Sequence, residues 1–414
     1  MPSQADDVVM PDLPTREDYI GYLESESEGA EPTGARLRRN LVKSYVIETV
    51  RGGARAPHAA SVFAQAAGLR LTELDGGSLF ALRDSDGVVA LMEAAETRFP
   101  VIHSTRKAKV IDPIVHNAVM SSPWLDHVWL PGRFFDALWG WTRETVDPGR
   151  LAKLKFSYQA SFERLDDRPG DYADETDEFD GDDLPADDED GTIREVRHSQ
   201  FEVADRVEVL DQRLERMRAL YDPLQSTIQI RIPSTVRGGH EVYNFGKITN
   251  RSISFAEQQK IVRLVTDLYR RVTEGAEERL WYAADEDASG GGAVLRGRPV
   301  FLAFPEPLEL STLHWWAERT FTNRRNKFRL GGEPMWSGPD RTRLHVYGID
   351  RHLWQPVSLE VTRNHLLAVL PAGTCGNTIN RLVTNVQQYL SPSVRAWIGD
   401  VPYERLLDSG EPHG

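Results

Sequence analysis

A strongly acidic segment interrupts the second half of this chain. Between Asp166 and Asp190 there are fourteen acidic residues and one basic residue, Arg168. Like charges at this density repel one another and offer little apolar surface to bury, so the segment predicts a disordered insertion at 166–191. Because the whole chain carries a formal net charge of −14 and this segment carries −13, the remainder is close to neutral.

The length and the residue pattern predict two domains with tails. A chain of 414 residues exceeds what one ordinary hydrophobic core supports. Residues 1–35 are rich in Asp, Glu, Pro, Ser and Gly, and this composition predicts a disordered acidic tail. A shorter C-terminal tail is predicted at residues 401–414. Residues 37–145 predict an α/β domain, and residues 150–400 predict a larger α+β domain that contains the acidic insertion.

The α/β prediction depends on three consecutive elements. A strand at Phe99–His103 is followed by a helix that begins at Asp112-Pro113 and then by a strand at His127–Leu130. Asp is a favoured N-cap, and Pro is favoured at the first helical position. Strand, helix and strand in close succession indicate a βαβ unit and therefore a parallel pair of strands.

The C-terminal part of the α+β domain has the clearest alternation of apolar and polar residues. Strands are predicted at Arg343–Ile349, Pro356–Val361 and His365–Leu370, and a helix at Asn377–Tyr389. The order of elements predicts an antiparallel sheet with helices on one face. Residues 153–276 have a looser version of this order, so a duplicated unit is an alternative, although no repeat of residues supports it.

Cysteine and motif content limit the chemistry that can be expected. Cys375 is the single cysteine, which excludes an intramolecular disulfide and favours a reducing, cytoplasmic location. No apolar run reaches the ~18 residues of a membrane span, so no membrane partner is expected. Phosphate-loop, zinc-protease and serine-hydrolase motifs do not occur, and His345, His352 and His365 match no ligand spacing. The sequence therefore predicts no cofactor, no metal site and no recognised catalytic centre.

Positive charge is concentrated in the three segments Arg106–Lys109, Gly246–Ser252 and Arg319–Arg329. The third segment holds five positive charges and no acidic residue. Aromatic residues such as Tyr243 and Phe328 accompany the second and third segments, and cations interleaved with rings are typical of proteins that follow a phosphate backbone and stack bases. The predicted anion-binding residues are Lys247, Arg251, Arg324, Arg325, Lys327 and Arg329.

These residues predict a protein that binds an anionic ligand, either nucleic acid or a nucleotide. Such a protein would act as a recognition or adaptor component rather than as a free-standing enzyme. Each cationic segment has a simpler interpretation as a solvated surface. The acidic insertion would compete with nucleic acid for a cationic groove, or would serve only as a solvated linker.

Two further features indicate other classes of function. Cys375 lies in a Gly-rich turn before the predicted helix at 377–389, where a helix dipole favours the thiolate. It is the weak catalytic candidate for an enzyme of hydrolase or transferase type, and its alternative is a small buried residue. Four tryptophans, Trp124, Trp129, Trp139 and Trp141, crowd the end of the predicted α/β domain, where packing of a core or domain interface and stacking of a base or sugar are the alternatives. A tryptophan-rich surface that docks a partner chain would make the protein an assembly component. The polar, aromatic run His345–Gln355 is a candidate loop lining a site, or a surface loop.

Overall fold

The computed structural model describes residues 9–29, 41–49, 58–95, 97–163, 194–280, 283–286, 293–322, 326–338, 341–371 and 373–407. These residues form helices and two large antiparallel sheets, so the predicted mixed class of helices and sheets is confirmed. None of the helices in this part of the chain combines the length and the apolar character that a membrane span requires.

The helices pack against and between the sheets. They are α1 (Arg16–Glu28), α2 (Ala59–Ala67), α3 (Ala108–Ser121), α4 (Gly132–Thr145), α5 (Val207–Leu220), α6 (Phe255–Leu280), α7 (Leu310–Ala317) and α8 (Asn377–Tyr389). Shorter helical turns are formed at Asp222–Gln225, Glu318–Thr322 and Tyr403–Leu406.

The first sheet is built from strands on both sides of residue 150. Its strands are β1 (Lys43–Thr49), β2 (Arg70–Asp75), β3 (Leu79–Arg83), β4 (Val88–Glu93), β5 (Val101–Ser104), β6 (Leu125–His127), β7 (Leu151–Glu163), β8 (Arg194–Arg206), β9 (Thr227–Pro233), β10 (Gly239–Tyr243) and β11 (Lys247–Asn250). Their order is β2-β3-β4-β5-β1-β11-β10-β9-β7-β8, and β6 pairs with β1. This sheet therefore contains strands from both predicted domains. The division of the chain into two domains near residue 150 stays a prediction.

The second sheet closes the other side of the main core. The remaining strands are β12 (Ala283–Glu286), β13 (Ala293–Arg296), β14 (Val300–Ala303), β15 (Leu330–Ser337), β16 (Arg343–Asp350), β17 (Gln355–Val361), β18 (His365–Val369), β19 (Arg395–Ile398) and β20 (Val401–Pro402). The sheet order is β15-β16-β17-β18-β14-β19-β20, while β12 and β13 form a separate pair. The inner residues of this sheet pack with α6, α7 and α8.

Alternate residues of the central strand β1 belong to different cores, as the pleat of a strand requires. Tyr45 and Ile47 pack with α2 and α3 on one face of the first sheet. Val46 faces the opposite side, where α6 and the second sheet complete the main core. α3 is therefore separated from the main core by the first sheet.

The predicted direct parallel pair of strands is wrong. β5 and β6 each pair antiparallel with β1, through Tyr45↔Ile102 and Ile47↔His127. They run in the same direction, but β1 lies between them. A strand from earlier in the chain is inserted into the unit, and the local succession of strand, helix and strand cannot reveal such an insertion.

Parts of the predicted disordered tails are ordered. In α1, Tyr19 and Leu23 are one turn apart and both are buried, and Thr15 accepts a hydrogen bond from the backbone N–H of Asp18 at 3.2 Å. Near the C-terminus, the hydroxyl of buried Tyr403 donates to Asn380 at 2.6 Å. The predictions of disorder are therefore wrong for residues 16–28 and 401–407. The predicted acidic insertion at 166–191 lies outside the described residues.

Candidate anion-binding site along helix α3

Helix α3 begins one turn before the predicted start. Lys107 is its N-cap and makes no side-chain capping bond, and Pro113 lies inside the helix, where it removes one backbone hydrogen bond. The apolar residues of α3 pack into the core beneath it. Lys109, Asp112 and His116 follow the i, i+3, i+7 spacing and thus share one side of the helix.

Asp112 connects α3 to the first sheet. Its carboxylate accepts hydrogen bonds from the Lys247 ammonium and from the Tyr45 hydroxyl, and all three side chains are almost fully buried. The Lys247 Nζ also lies 5.4 Å from the centre of the Tyr243 ring. Burial and the adjacent Asp112 charge raise the pKa of Tyr45 well above its usual value. The charge of Lys247 is therefore balanced by Asp112 rather than available in full to a ligand.

One turn further along α3, two imidazole rings are stacked. The Nδ1 of His116 lies 3.3 Å from the Nε2 of His127, and the ring planes are 14° apart. Burial lowers the pKa of His116, and the charges of Lys327 and Arg329 lower it further. Burial also lowers the pKa of His127 well below its usual value, with the neighbouring cations adding to the effect. This histidine pair (His116 and His127) is consequently neutral at pH 7.

The chain after α7 brings cations to the same region. Lys327 Nζ is 5.5 Å from the centre of the Phe328 ring and 6.0 Å from that of Tyr389, and Arg319 lies 4.9 Å above Tyr389. Within the described ranges, no carboxylate lies within ion-pairing distance of Lys327. Its positive charge is thus held by aromatic faces, which balance it less completely than a carboxylate does.

Arg329 has a structural role at the C-terminal end of α3. It is buried, its φ is +57°, and its guanidinium donates hydrogen bonds to the carbonyl oxygens of Val119, Ser122 and Leu125. It lies 3.9 Å from the carboxylate of Asp126. Since its donors are used by the backbone, Arg329 contributes a positive potential and not a direct ligand contact.

The structure brings together some of the predicted residues but not all of them. Lys247, Lys327 and Arg329 lie along α3. Arg251 stands beyond the end of β11 and forms an ion pair with Glu241 at 2.7 Å. Arg324 and Arg325 lie outside the described residues.

We call the resulting cluster the α3 site. It consists of Lys109, Asp112, His116, His127, Tyr243, Phe245, Lys247 and Lys327. Sequence reasoning missed the histidine pair, since two histidines that are eleven positions apart match no motif. The available signal was the position of His116 one turn after Asp112 on a predicted helix that leads into the strand of His127.

Cys375 is placed differently from the prediction of a reactive thiol. Its Sγ donates to Glu48 Oε1 at 3.1 Å, and Arg98 Nη2 lies 3.8 Å from the sulfur. Burial and the Glu48 charge raise the pKa of the thiol well above its usual value. The N–H of Gly376 at the start of α8 donates to Glu277 at 3.0 Å. The predicted shift towards thiolate is therefore wrong, because carboxylates occupy the positive end of the helix.

A second set of buried charges joins the two sheets. Arg381 on α8 donates hydrogen bonds to Asp126 of β6 and to Asp350 of β16, and all three side chains are fully buried. We refer to these three residues as the buried ion network. Two carboxylates on one guanidinium leave no unbalanced positive charge, so the network is structural.

The predicted run His345–Gln355 lies on β16 and in the turn to β17, and it carries exposed rings. Trp354 is 63% exposed, and Trp124 is 46% exposed. Leu353 and Trp354 both have positive φ values, +61° and +54°, and the Leu353 N–H donates to the Pro123 carbonyl at 3.0 Å. That bond joins the two loops that carry the tryptophans, and we refer to these two exposed side chains as the exposed aromatic surface.

Comparison with known proteins gives the family of the chain. The MJECL33-like protein family matches residues 23–404. A protein of Methanocaldococcus jannaschii, named "Uncharacterized protein MJECL33", is 22% identical over 416 residues that cover 92% of this chain and 93% of that protein. No solved structure matches the chain. Because the family match spans most of the sequence, the chain belongs to the MJECL33-like protein family.

Proposed function

We propose that this protein binds an anionic phosphorylated ligand, nucleic acid or nucleotide, at the α3 site and acts as a recognition or adaptor component. The observation that carries the proposal is that lysines from separate segments of the sequence lie close to the same helix. Lys109, Lys247 and Lys327 come from the three cationic segments of the sequence, and all three lie along one helix. A cytoplasmic location, favoured by the single cysteine, is part of the same proposal.

The electrostatics of the histidine pair support an anion at this position. Burial is the main cause of the lowered pKa of His116, and the charges of Lys327 and Arg329 lower it further, so both cations act on this region. An anion bound there would offset the repulsion between these cations, and it would gain more than it would at a site already balanced by acids. Asp112 balances part of the positive charge, since it already pairs with Lys247.

Aromatic rings beside the pair support a ligand that contains a base. Phe245 lies edge-on to His127 with ring centres 6.2 Å apart, and Tyr243 lies 5.7 Å from Phe245. Both Tyr243 and Phe245 are partly exposed. Stacking of a base on such a ring contributes ~1–3 kcal/mol, and it does so for any base.

The test is direct binding with a salt titration. We expect a fluorescent single-stranded oligonucleotide or a labelled nucleotide to bind and to lose affinity steeply between ~50 and ~200 mM salt, because phosphate contacts release counterions. The Lys109→Ala/Lys327→Ala double variant should bind more weakly and should reduce the slope of log K against log salt by roughly one per lysine.

The matched control is Lys260→Ala, because Lys260 is an exposed lysine on α6, on the opposite side of the first sheet. That variant should bind as the wild type does. An affinity that does not change with salt would reject the α3 site. An equal loss of affinity in the double variant and in the control would reject it as well.

A second candidate function is assembly with another chain, and the exposed aromatic surface favours it. Trp124 and Trp354 stand on loops that touch each other, at 46% and 63% exposure. Sedimentation velocity should show a self-associated wild type that Trp124→Ser/Trp354→Ser converts to a monomer, whereas Tyr221→Ser, at another exposed ring, has no effect. A wild type that is monomeric at all concentrations would remove self-association.

A further inference from the structure

We infer that a second copy of this chain docks on the outer face of the second sheet, so that two sheets pack face to face. The inference rests on the second candidate function, assembly with another chain, and it specifies the partner and the surface. The outer face consists of the apolar residues on the side of the sheet opposite α6, α7 and α8: Phe301, Met335, Tyr347, Ile349, Pro356, Leu367, Val369 and Trp397.

The strand register places these side chains next to one another. One row of paired residues crosses the strands from β15 to β19 and contains Met335, His345, Glu360, Leu367, Phe301 and Trp397. A second row contains Glu333, Tyr347, Ser358 and Val369, and a third contains Gly331, Ile349 and Pro356. Residues that are paired across strands share one face, so the outer face is a continuous surface.

The outer face is uncovered within the described part of the chain. Tyr347 is 66% exposed, and Met335 and Ile349 are each 46% exposed. Phe301 and Trp397, whose ring centres are 6.0 Å apart, are partly exposed. Among the described residues, no member of the outer face belongs to a hydrophobic core or packs against one. A monomer would therefore leave a broad apolar surface in contact with water.

The sequences of two central strands indicate the same need for cover. β14 (Val-Phe-Leu-Ala) and β18 (His-Leu-Leu-Ala-Val) are almost continuously apolar. A strand with one face in water normally alternates apolar and polar residues, whereas continuous apolar runs are typical of strands that are covered on both faces. The inner side of β14 and β18 is covered through Val300, Leu302 and Leu366. Their outer side therefore calls for a second apolar surface.

The charges of the outer face favour a second copy as that surface. Glu360, the acid nearest its centre, lies 3.8 Å from both Arg343 and His345. Glu333 on β15 and Arg395 on β19 add one exposed charge of each sign at opposite ends. A strongly charged partner would find no excess of opposite charge here, whereas an identical face is equally apolar and equally balanced.

Two other modes of cover are disfavoured. The longest stretch outside the described residues contains the fourteen acids between Asp166 and Asp190, and carboxylates are costly to bury against apolar side chains. Pairing through the edge strand β15 is disfavoured by Pro334, because proline has no N–H to donate to a new strand. Face-to-face packing of two copies avoids both costs, and it agrees with the two-fold symmetry of most homodimers.

The size of the outer face sets the strength of the pairing. Strands ~4.8 Å apart and side-chain rows ~7 Å apart give a surface on the order of 500 Å² per copy. Two copies would bury about 1,000 Å² in total, close to the lower limit for a specific interface. The exposed aromatic surface extends this area, since Trp354 lies in the turn between Ile349 and Pro356. We therefore expect a reversible dimer.

The experiment is sedimentation velocity of the full chain over a range of concentrations. The wild type should dimerise with an affinity that does not fall between ~50 and ~500 mM salt, because contacts between apolar surfaces are not screened. Tyr347→Lys/Ile349→Lys changes two exposed side chains, and a two-fold interface contains each of them twice. This variant should raise the dissociation constant of the dimer at least about a hundredfold.

The matched control is Leu220→Lys/Tyr221→Lys, which changes one aliphatic and one aromatic residue at exposed positions at the C-terminal end of α5. It should dimerise as the wild type does. Met335→Lys, on the edge strand β15, is a second variant of the outer face and should weaken the dimer roughly tenfold. Circular dichroism of each variant checks that it is folded.

The outcomes separate the inference from the function on which it rests. A wild type that is monomeric at all concentrations would overturn both. A dimer that survives Tyr347→Lys/Ile349→Lys, or that weakens equally in the control, would overturn the inference alone. If Trp124→Ser/Trp354→Ser still produced a monomer in that case, the second candidate function would stand without the outer face.

Discussion

The buried ion network and the α3 site both contain buried charged residues, but acids balance the positive charge fully in the network and only partly at the α3 site. Arg381 is bonded to two carboxylates, Asp126 and Asp350, and none of the three is exposed. At the α3 site, Lys327 is partly exposed and lies over aromatic rings, and it adds to the effect of burial in lowering the pKa of His116. Charged residues are structural where each base is paired with an acid, as in the buried ion network, and the proposed ligand site is the place where the positive charge has no such partner among the described residues.

The strongest test of this contrast removes the centre of the buried ion network. Arg381→Ala leaves Asp126 and Asp350 buried without a counter-charge, so the free energy of unfolding should fall by about 3–5 kcal/mol. Urea denaturation followed by tryptophan fluorescence measures it. Arg271→Ala, at an exposed position on α6, is the control and should change the value by less than about 0.5 kcal/mol.

If Arg381→Ala cost no more than that control, the network would not be what joins the two sheets. Because Arg381 is not part of the α3 site, any loss of ligand binding in Arg381→Ala should be explained by the fraction of the protein that is unfolded. A specific loss of binding in folded protein would instead assign Arg381 to the ligand.

The substitution Asp112→Asn should change stability and ligand affinity in opposite directions. The substitution leaves the buried Lys247 charge without its carboxylate, so stability should fall by about 2 kcal/mol, while the amide oxygen can still accept from Tyr45. Because the positive charge of Lys247 is then unbalanced, ligand affinity at low salt should rise severalfold. Calorimetric binding and urea denaturation of the same protein measure both effects. Weaker binding by fully folded protein would show that Asp112 itself serves the ligand.

The histidine pair should make the folded state sensitive to acid. Its folded-state pKa values are lowered, so below about pH 6.5 the unfolded chain binds protons that the folded chain does not. The contribution to stability is therefore present above the unfolded pKa and is lost as the pH falls through the folded values. Stability measured from pH 8 to pH 5 should decline, and His116→Asn should reduce the decline. An unchanged pH profile in that variant would mean that His116 does not titrate as described.

The second sheet was the part of the fold that local pattern predicted best. Strands expected at Arg343–Ile349 and Pro356–Val361 are observed as Arg343–Asp350 and Gln355–Val361, and the predicted helix Asn377–Tyr389 has those bounds. Consecutive strands there pair with their neighbours in sequence, so apolar alternation suffices. In the first sheet, β1 enters between β5 and β6, and no local period encodes a partner from so far along the chain.

The candidate site was only partly accessible to sequence reasoning for a related reason. The cationic segments were evident, but the acids that balance Lys247 and Arg251 are Asp112 and Glu241, and both pairings depend on the fold. Arg329 looked like a ligand contact, yet it closes the end of α3 through backbone carbonyls. Composition shows where charge is present, and only tertiary packing shows which charges remain unbalanced.

The smallest expected effect is the most specific to the α3 site. Lys327→Ala removes a partly exposed cation with no carboxylate partner among the described residues, so the free energy of unfolding should change by less than about 0.5 kcal/mol. Because Lys327 lowers the pKa of His116, its removal should raise that pKa towards the ordinary value for histidine. Two-dimensional NMR titration of the imidazole protons follows the change, and Lys260→Ala serves as the control that should leave it unmoved. A His116 pKa that stays the same in Lys327→Ala would place the lysine charge too far from the histidine pair to act on a bound phosphate, and the contrast between the two regions would then have to rest on burial alone.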